Sequence, residues 1–147
     1  MKSIDAKFVL SKDLTKFIVV GKISGDDIHE WKTRHYSGNV TSLHLWDLTQ
    51  ADLSEVSTDD IIADVERTKM VVDIRKDGKS AFVCRDGVEY GLCRMRETFA
   101  EIKDIPIEYE TFRCLDKARE WLGVSHSNVN SRNVEQVQGT TKRILVR

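Results

Sequence analysis

The residues able to do chemistry in this 147-residue chain are few and scattered. Cys93 precedes Arg94, and a cation beside a helix start lowers a thiol pKa toward a nucleophilic thiolate. A cysteine nucleophile also needs a base, and no histidine is near Cys93 in sequence. Cys84 and Cys114 read as small fillers at or near the core. His29, His35, His44 and His126 show neither H-x-x-x-H nor H-E-x-x-H spacing, so no metal site is expected. His44, inside an apolar run, reads as a core residue. Asp47 closes that run, where burial can perturb a carboxylate. No G-x-G-x-x-G, P-loop or G-x-S-x-G occurs, so no cofactor is expected. Glu89, Glu97 and Glu101 beside Arg94 and Arg96 read as a solvated helix face. What remains is a set suited to binding: Asp47, Thr49, Ser54, Ser57, Arg85, Tyr90 and Arg113. Its two arginines offer bidentate partners for phosphate or carboxylate.

Composition narrows the class. The length fits one domain. Lys+Arg 23 against Asp+Glu 24 gives a net charge of −1, which argues against a dedicated nucleic-acid binder. The balance is a cancellation: residues 1–123 carry 19 Lys/Arg against 23 Asp/Glu, and residues 124–147 carry four against one. No apolar run approaches the roughly 20 residues of a membrane helix. Met1-Lys2 leads straight into Ile4-Asp5-Ala6-Lys7, without the apolar stretch of a signal peptide. Three cysteines, an odd number with no C-x-x-C, fit reduced thiols in a cytoplasm.

The elements that must position the binding set follow from periodicity. Phe8-Val9-Leu10 ends a first strand, and Lys16–Ile23 is a second, rich in β-branched residues; their short link predicts a hairpin. Ser24-Gly25-Asp26-Asp27 is a capping-box start for a helix over 25–36, with Ile28, Trp31 and His35 on one face and Ser37-Gly38-Asn39 as its stop. Ser42–Leu48 is apolar at almost every place, as expected of a parallel strand covered on both faces. Ser57-Thr58-Asp59-Asp60 is a second capping-box start, and Ile61, Ile62, Val65, Lys69 and Val72 carry one helix through about 75. Arg75, in the last turn before Gly78, reads as a charge complementing the helix dipole. Lys79–Cys84 is a further strand. Asp86 reads as the cap of a helix whose stripe is Val88, Leu92, Met95, Phe99 and Ile102. Ile107–Phe112, after the one proline, Pro106, reads as an edge strand, and Asp116–Leu122 as a closing helix.

The order β-β-α-β-α-β-α-β-α predicts an α/β fold, a mostly parallel five-stranded sheet with helical cover. The domain spans 1–123. Residues 124–147 form a polar, basic, flexible tail, in which 124–140 is too polar to pack and Ile144-Leu145-Val146 can add to a sheet edge.

Three segments carry a resemblance. They are Leu45-Trp46-Asp47-Leu48-Thr49-Gln50-Ala51, then Gly78–Val83 with Tyr90-Gly91-Leu92-Cys93-Arg94-Met95, and Phe112-Arg113 followed by Ala118 and Trp121-Leu122. Together the body resembles the bacterial SpoIIAA-like, or STAS/SEC14-like, proteins. The resemblance implies an α/β sandwich related to anti-sigma-factor antagonists and to lipid-carrying CRAL-TRIO domains. In the antagonists a phosphorylatable serine opens the helix after the central strand. Here Asp52–Asp60 takes that place, with Ser54 and Ser57 but no Ser-Ser-Gly core, so the resemblance makes Ser57 the candidate phosphoacceptor.

In open α/β sheets ligands gather beyond the carboxyl ends of parallel strands. That edge is expected to hold the whole binding set, with helix N-termini that favour an anion. The leading expectation is a non-enzymatic cytoplasmic binding or regulatory module, in contact with a protein partner or a second copy of itself through the Asp47–Ser57 loop, with an anion or phosphate at that edge. The alternative is a carrier of a small apolar or lipid-like ligand, for which Trp31, Tyr36, Met70, Met95, Phe99 and Trp121 are the candidate lining. An enzyme of unrecognised type is the third. A contact loop would turn Leu53 and Val56 to solvent. A carrier would hold a closed apolar pocket of several hundred Å³. An enzyme would bring polar groups together in a cleft.

Overall fold

Alternation along Ile4, Ala6 and Phe8, and along Phe17 and Val19, gives each of the first two strands one buried face. In the computed structural model, which describes residues 2–35, 40–85, 87–124 and 141–145, these are β1 (Ser3–Val9) and β2 (Leu14–Lys22). They pair antiparallel from Ser3↔Val20 to Val9↔Leu14. The chain continues through α1 (Gly25–His35), β3 (Leu43–Asp52), α2 (Thr58–Lys69), the single turn α3 (Val72–Arg75) and β4 (Lys79–Val83). Then come α4 (Val88–Ile102), β5 (Glu108–Phe112), α5 (Leu115–Leu122) and β6 (Thr141–Leu145). The sheet order is β5-β4-β3-β2-β1-β6, with β2 to β5 mutually parallel. The fold is α/β, with β5 at an edge as its alternation predicts.

The sheet has six strands where the body alone predicts five. Thr141–Leu145 pairs antiparallel with β1, from Ser3↔Leu145 to Lys7↔Thr141, so part of the expected tail belongs to the sheet of its own chain. Residues 125–140, Asp86 and the helix stop at 37–39 lie outside the described residues.

β3 is covered on both faces, which explains its largely apolar run. Trp46 and Leu48 join Phe17, Val19, Trp31, Ile61, Leu92 and Cys93 in a cluster under α1, α2 and α4. Leu45 joins Ala81, Val83, Ala118 and Leu122 under α5 on the opposite face. A third cluster of Val65, Ala100, Ile105 and Ile107 fills the space between α2 and α4.

Three local expectations change. The helix expected through 75 ends at Lys69, and Met70 N–H bonds back to Arg67 O and Thr68 O. Arg75 is not a dipole partner at a surface but a buried clamp. Its Nε donates to Thr41 O at 3.1 Å, Nη1 to Ser80 Oγ at 2.9 Å, and Nη2 to Ser42 O at 2.8 Å and Lys79 O at 3.0 Å. Gly78 is required beside it, because a Cβ there would collide with the Ser42 carbonyl. In α4 the expected stripe lies along the flank of the buried face, leaving Val88 56% and Ile102 65% exposed. A 3.5-residue repeat slips round a helix of 3.6 residues per turn. The face that turns inward is Leu92, Cys93, Arg96 and Ala100.

Candidate functional site

The strand-end edge gathers the expected set only in pairs. Asp47 is buried in β3, and its Oδ1 accepts from Thr49 N at 3.0 Å and Thr49 Oγ1 at 2.6 Å. Between Ile18 and Val20 of β2 the register against β3 shifts, from Ile18↔Asp47 to Val20↔Gln50. The Asp47–Thr49 pair thus latches a bulge, in which one strand carries an extra residue. Tyr90 and Arg113 meet across the edge, the guanidinium carbon 3.8 Å from the ring centroid. Thr49 and Arg85 line an open depression of about 470 Å³ with Gln50, Asp52 and Glu89. Two carboxylates face one guanidinium there, which disfavours the expected anion.

Ser54 and Ser57 are exposed, but neither is a free hydroxyl at a helix mouth. The Ser54 hydroxyl bonds the Asp52 carboxylate, Ser54 N donates to its Oδ1 at 2.9 Å, and together they hold the Asp52 carboxyl below its usual value. Ser57 Oγ accepts from Asp60 N at 3.0 Å while Ser57 N donates to Asp60 Oδ2 at 2.9 Å. This is the reciprocal capping box that the sequence predicts. Leu53 and Val56, which a contact loop would turn outward, are 6% and 7% exposed and lie in the first core cluster. The loop is pinned further by Glu89, whose Oε2 accepts from Leu53 N at 3.0 Å.

The converging groups lie elsewhere, under the three helices of the first layer. An apolar cleft of about 70 Å³ opens between the sheet and α1, α2 and α4, lined by Val19, Ile23, Ile28, Trp46, Leu48, Val56, Ile61 and Leu92. Lys32, Asp64 and Arg96 complete its wall. The described members of the expected lipid-cavity set do not line it. Trp31 packs edge-on against Phe17 with centroids 5.2 Å apart, Trp121 of α5 packs on the opposite face of the sheet, and Met70 is 84% exposed.

Asp64 is the hub of the charged wall. Its two oxygens accept from Lys32 Nζ at 3.0 and 2.9 Å, and Oδ2 also from Arg96 Nε at 2.7 Å. Arg96 Nη2 donates to Thr68 Oγ1 at 3.0 Å, its guanidinium lies 4.6 Å from the Tyr109 ring centroid, and its buried Nη1 has no acceptor. Lys32 Nζ stands 5.4 Å from the Trp46 centroid. Burial pushes the Asp64 pKa up, but Lys32 and Arg96 outweigh it and hold the carboxyl well below the usual range. Burial opposes the Arg96 charge, yet Tyr109 and Asp64 raise its pKa above the ordinary guanidinium value. Lys32 moves the other way: burial lowers its pKa, and the one carboxylate beside it does not make up the loss against Arg96 and Arg75.

Sequence reading missed all three residues, although a signal was present. Lys32 is four residues after Ile28, Asp64 three after Ile61, and Arg96 four after Leu92. Each charge sits in the inward register of its own helix. Arg96, expected on a solvated face, is 5% exposed; Arg94 is the residue on that face, paired with Glu97 and Glu110.

The neighbouring Arg94 does not activate Cys93. Cys93 Sγ lies 3.4 Å from Cys84 Sγ, and the hydrogen bond between the two thiols, together with burial, pushes the Cys93 thiol well above its ordinary pKa. His44 packs against Phe17 with centroids 4.9 Å apart, in the core as expected. Among the described residues no group of three or more His, Cys, Asp or Glu stands where it could hold a metal ion. Among them, too, no helix is long and apolar enough to cross a membrane. No family model matches the chain, and comparison with curated proteins gives no match.

Proposed function

We propose that the protein is a binding module for a compact apolar ligand, held in the cleft between the sheet and α1, α2 and α4. The observation that carries this reading is the cleft itself: an apolar space with Lys32, Asp64 and Arg96 converging on one wall. Its volume of about 70 Å³, far below the several hundred Å³ of the closed pocket a carrier would hold, sets the scale of the occupant. A cavity of roughly 150 Å³ takes a benzene ring, so a short aliphatic group fits and a whole lipid does not. We read it as a binder, because each of the three charged groups on the cleft wall is engaged with another in one ion-pair network. The likeness to SpoIIAA-like proteins is part of the proposal, supported by the element order. A cytoplasmic setting is supported by the odd cysteine count.

The test is a ligand-detected NMR screen of small apolar compounds against the full chain and against Leu48→Phe, which fills the cleft. Binding that vanishes in the filled variant is the expected result. Compounds that bind both chains equally, or none that bind, would overturn the reading.

A second reading, contact with a protein partner or a second copy at the strand-end edge, draws support from the polar depression at Thr49, Asp52, Arg85 and Glu89. Ser54 and Ser57 border it in sequence and face solvent. Arg85→Glu would then weaken partner capture while leaving cleft ligands bound.

A further inference from the structure

The cleft does not end at its apolar lining. It adjoins a groove of about 320 Å³ between α1 and α2, and Lys32 and Asp64 line both spaces. The groove's other walls include His29, Thr33, Arg67 and Thr68. Along the two spaces together the charged lining is Lys32, Arg67 and Arg96 against Asp64 alone. At the junction itself, two buried or half-buried cations share one carboxylate, which leaves one positive charge uncompensated.

Burying such an excess is costly unless an anion meets it. Lys32, which lines both spaces, is placed for that anion. The Lys32 ammonium has three N–H donors; its two contacts here go to one carboxylate, and it stands beside the Trp46 ring that lines the cleft. Arg96, nine-tenths and more buried, keeps Nη1 without an acceptor. The lowered Lys32 pKa agrees with this: burial opposes its charge, and Asp64 alone does not offset burial and Arg96.

We infer that the ligand is a short-chain aliphatic monocarboxylate, its alkyl group in the apolar cleft and its carboxylate at the Lys32–Asp64 junction, where it accepts from Lys32 and balances the Lys32–Asp64–Arg96 cluster. This rests on the cleft being a ligand site, as proposed above. One negative charge matches the excess at the junction, whereas a dianion would exceed it. The cleft's volume of about 70 Å³ limits the alkyl group to a few carbons.

The experiment is calorimetric titration of the full chain with valerate, with its neutral isostere valeramide, and with pentyl phosphate. Valerate is expected to bind at least tenfold more tightly than either. Lys32→Met is expected to erase the preference for acid over amide, and Lys32→Arg to retain it. If valeramide binds as tightly as valerate, or pentyl phosphate more tightly, the inference about the head group is overturned while the cleft reading stands. If none of the three binds, the cleft reading itself falls. The comparison of acid with amide uses the unaltered chain, so it holds even where a Lys32 variant fails to fold.

Discussion

Arg96 Nε donates to Asp64 Oδ2 at 2.7 Å, joining α4 to α2 inside the protein rather than across its surface. Lys32 of α1 reaches the same oxygen at 2.9 Å, so one carboxylate ties three helices together. Removing one partner of a buried ion pair leaves the other charge stranded. Asp64→Ala is therefore expected to destabilise the fold by roughly 3–5 kcal/mol. The triple change Lys32→Met, Asp64→Leu, Arg96→Met is expected to recover most of that loss. Urea unfolding of the three chains decides it; a single variant as stable as the parent would contradict the hub.

Asp64 also predicts an acid sensitivity. Its folded pKa lies below the ordinary value of 3.8, so the unfolded chain binds that proton more readily. The stabilisation is full well above 3.8 and is lost as the pH falls below it toward the folded value. Urea midpoints measured between about pH 6 and pH 2.5 are expected to fall more steeply in the parent than in the triple variant. Parallel curves would show that Asp64 is not the group responsible.

Asp60 serves two helix starts at once. It closes the Ser57 capping box of α2, and a Cβ on Gly25 at the start of α1 would strike its carboxylate. Ser57→Ala is expected to cost about 1 kcal/mol. Gly25→Ala is expected to displace the same carboxylate, so its cost and that of Asp60→Ala should fail to add in a double-mutant cycle. Strict additivity would separate the two. Phosphate on Ser57 would break this box and meet Asp59 and Asp60, so phosphorylation is expected to lower the melting temperature.

The thiols divide two to one. Cys84 and Cys93 are buried and Cys114 is exposed. With an aromatic disulfide reagent, one equivalent is expected to react quickly and two only as fast as the chain opens. Cys114→Ser should remove the fast phase; a fast phase that survives would mean that the buried pair is accessible.

β6 covers the edge of β1 over five residue pairs. Deleting 141–147 would leave that row of N–H and C=O groups unpaired, a template for another chain. Sedimentation velocity is expected to show self-association of the shortened chain at concentrations where the full chain sediments as one species. Identical profiles would show that the edge needs no cover.

Much of the architecture was legible, for reasons that particular residues make clear. The two capping boxes, Ser24 with Asp27 and Ser57 with Asp60, form as written because their partners are three residues apart. The run Leu43–Leu48, apolar but for His44 and Asp47, became a strand covered on both faces, since local pattern and burial agree there. The candidate site was less legible. Asp47 and Thr49 were expected to meet a ligand, but the bulge between them and β2 uses both. That bulge depends on the register of β2 against β3, which no local spacing encodes.

By itself the sequence determined the order of the five body strands and the main helices between them, and the capped starts of α1 and α2. It even placed Lys32, Asp64 and Arg96 in inward registers of three separate helices. Only the tertiary structure decided that those three registers meet at one point, so that charges costly to bury alone form one network beside an apolar cleft. The physical reason is range. Capping and periodicity act within a few residues, whereas the electrostatics of Asp64 depend on partners that lie 32 residues away on either side.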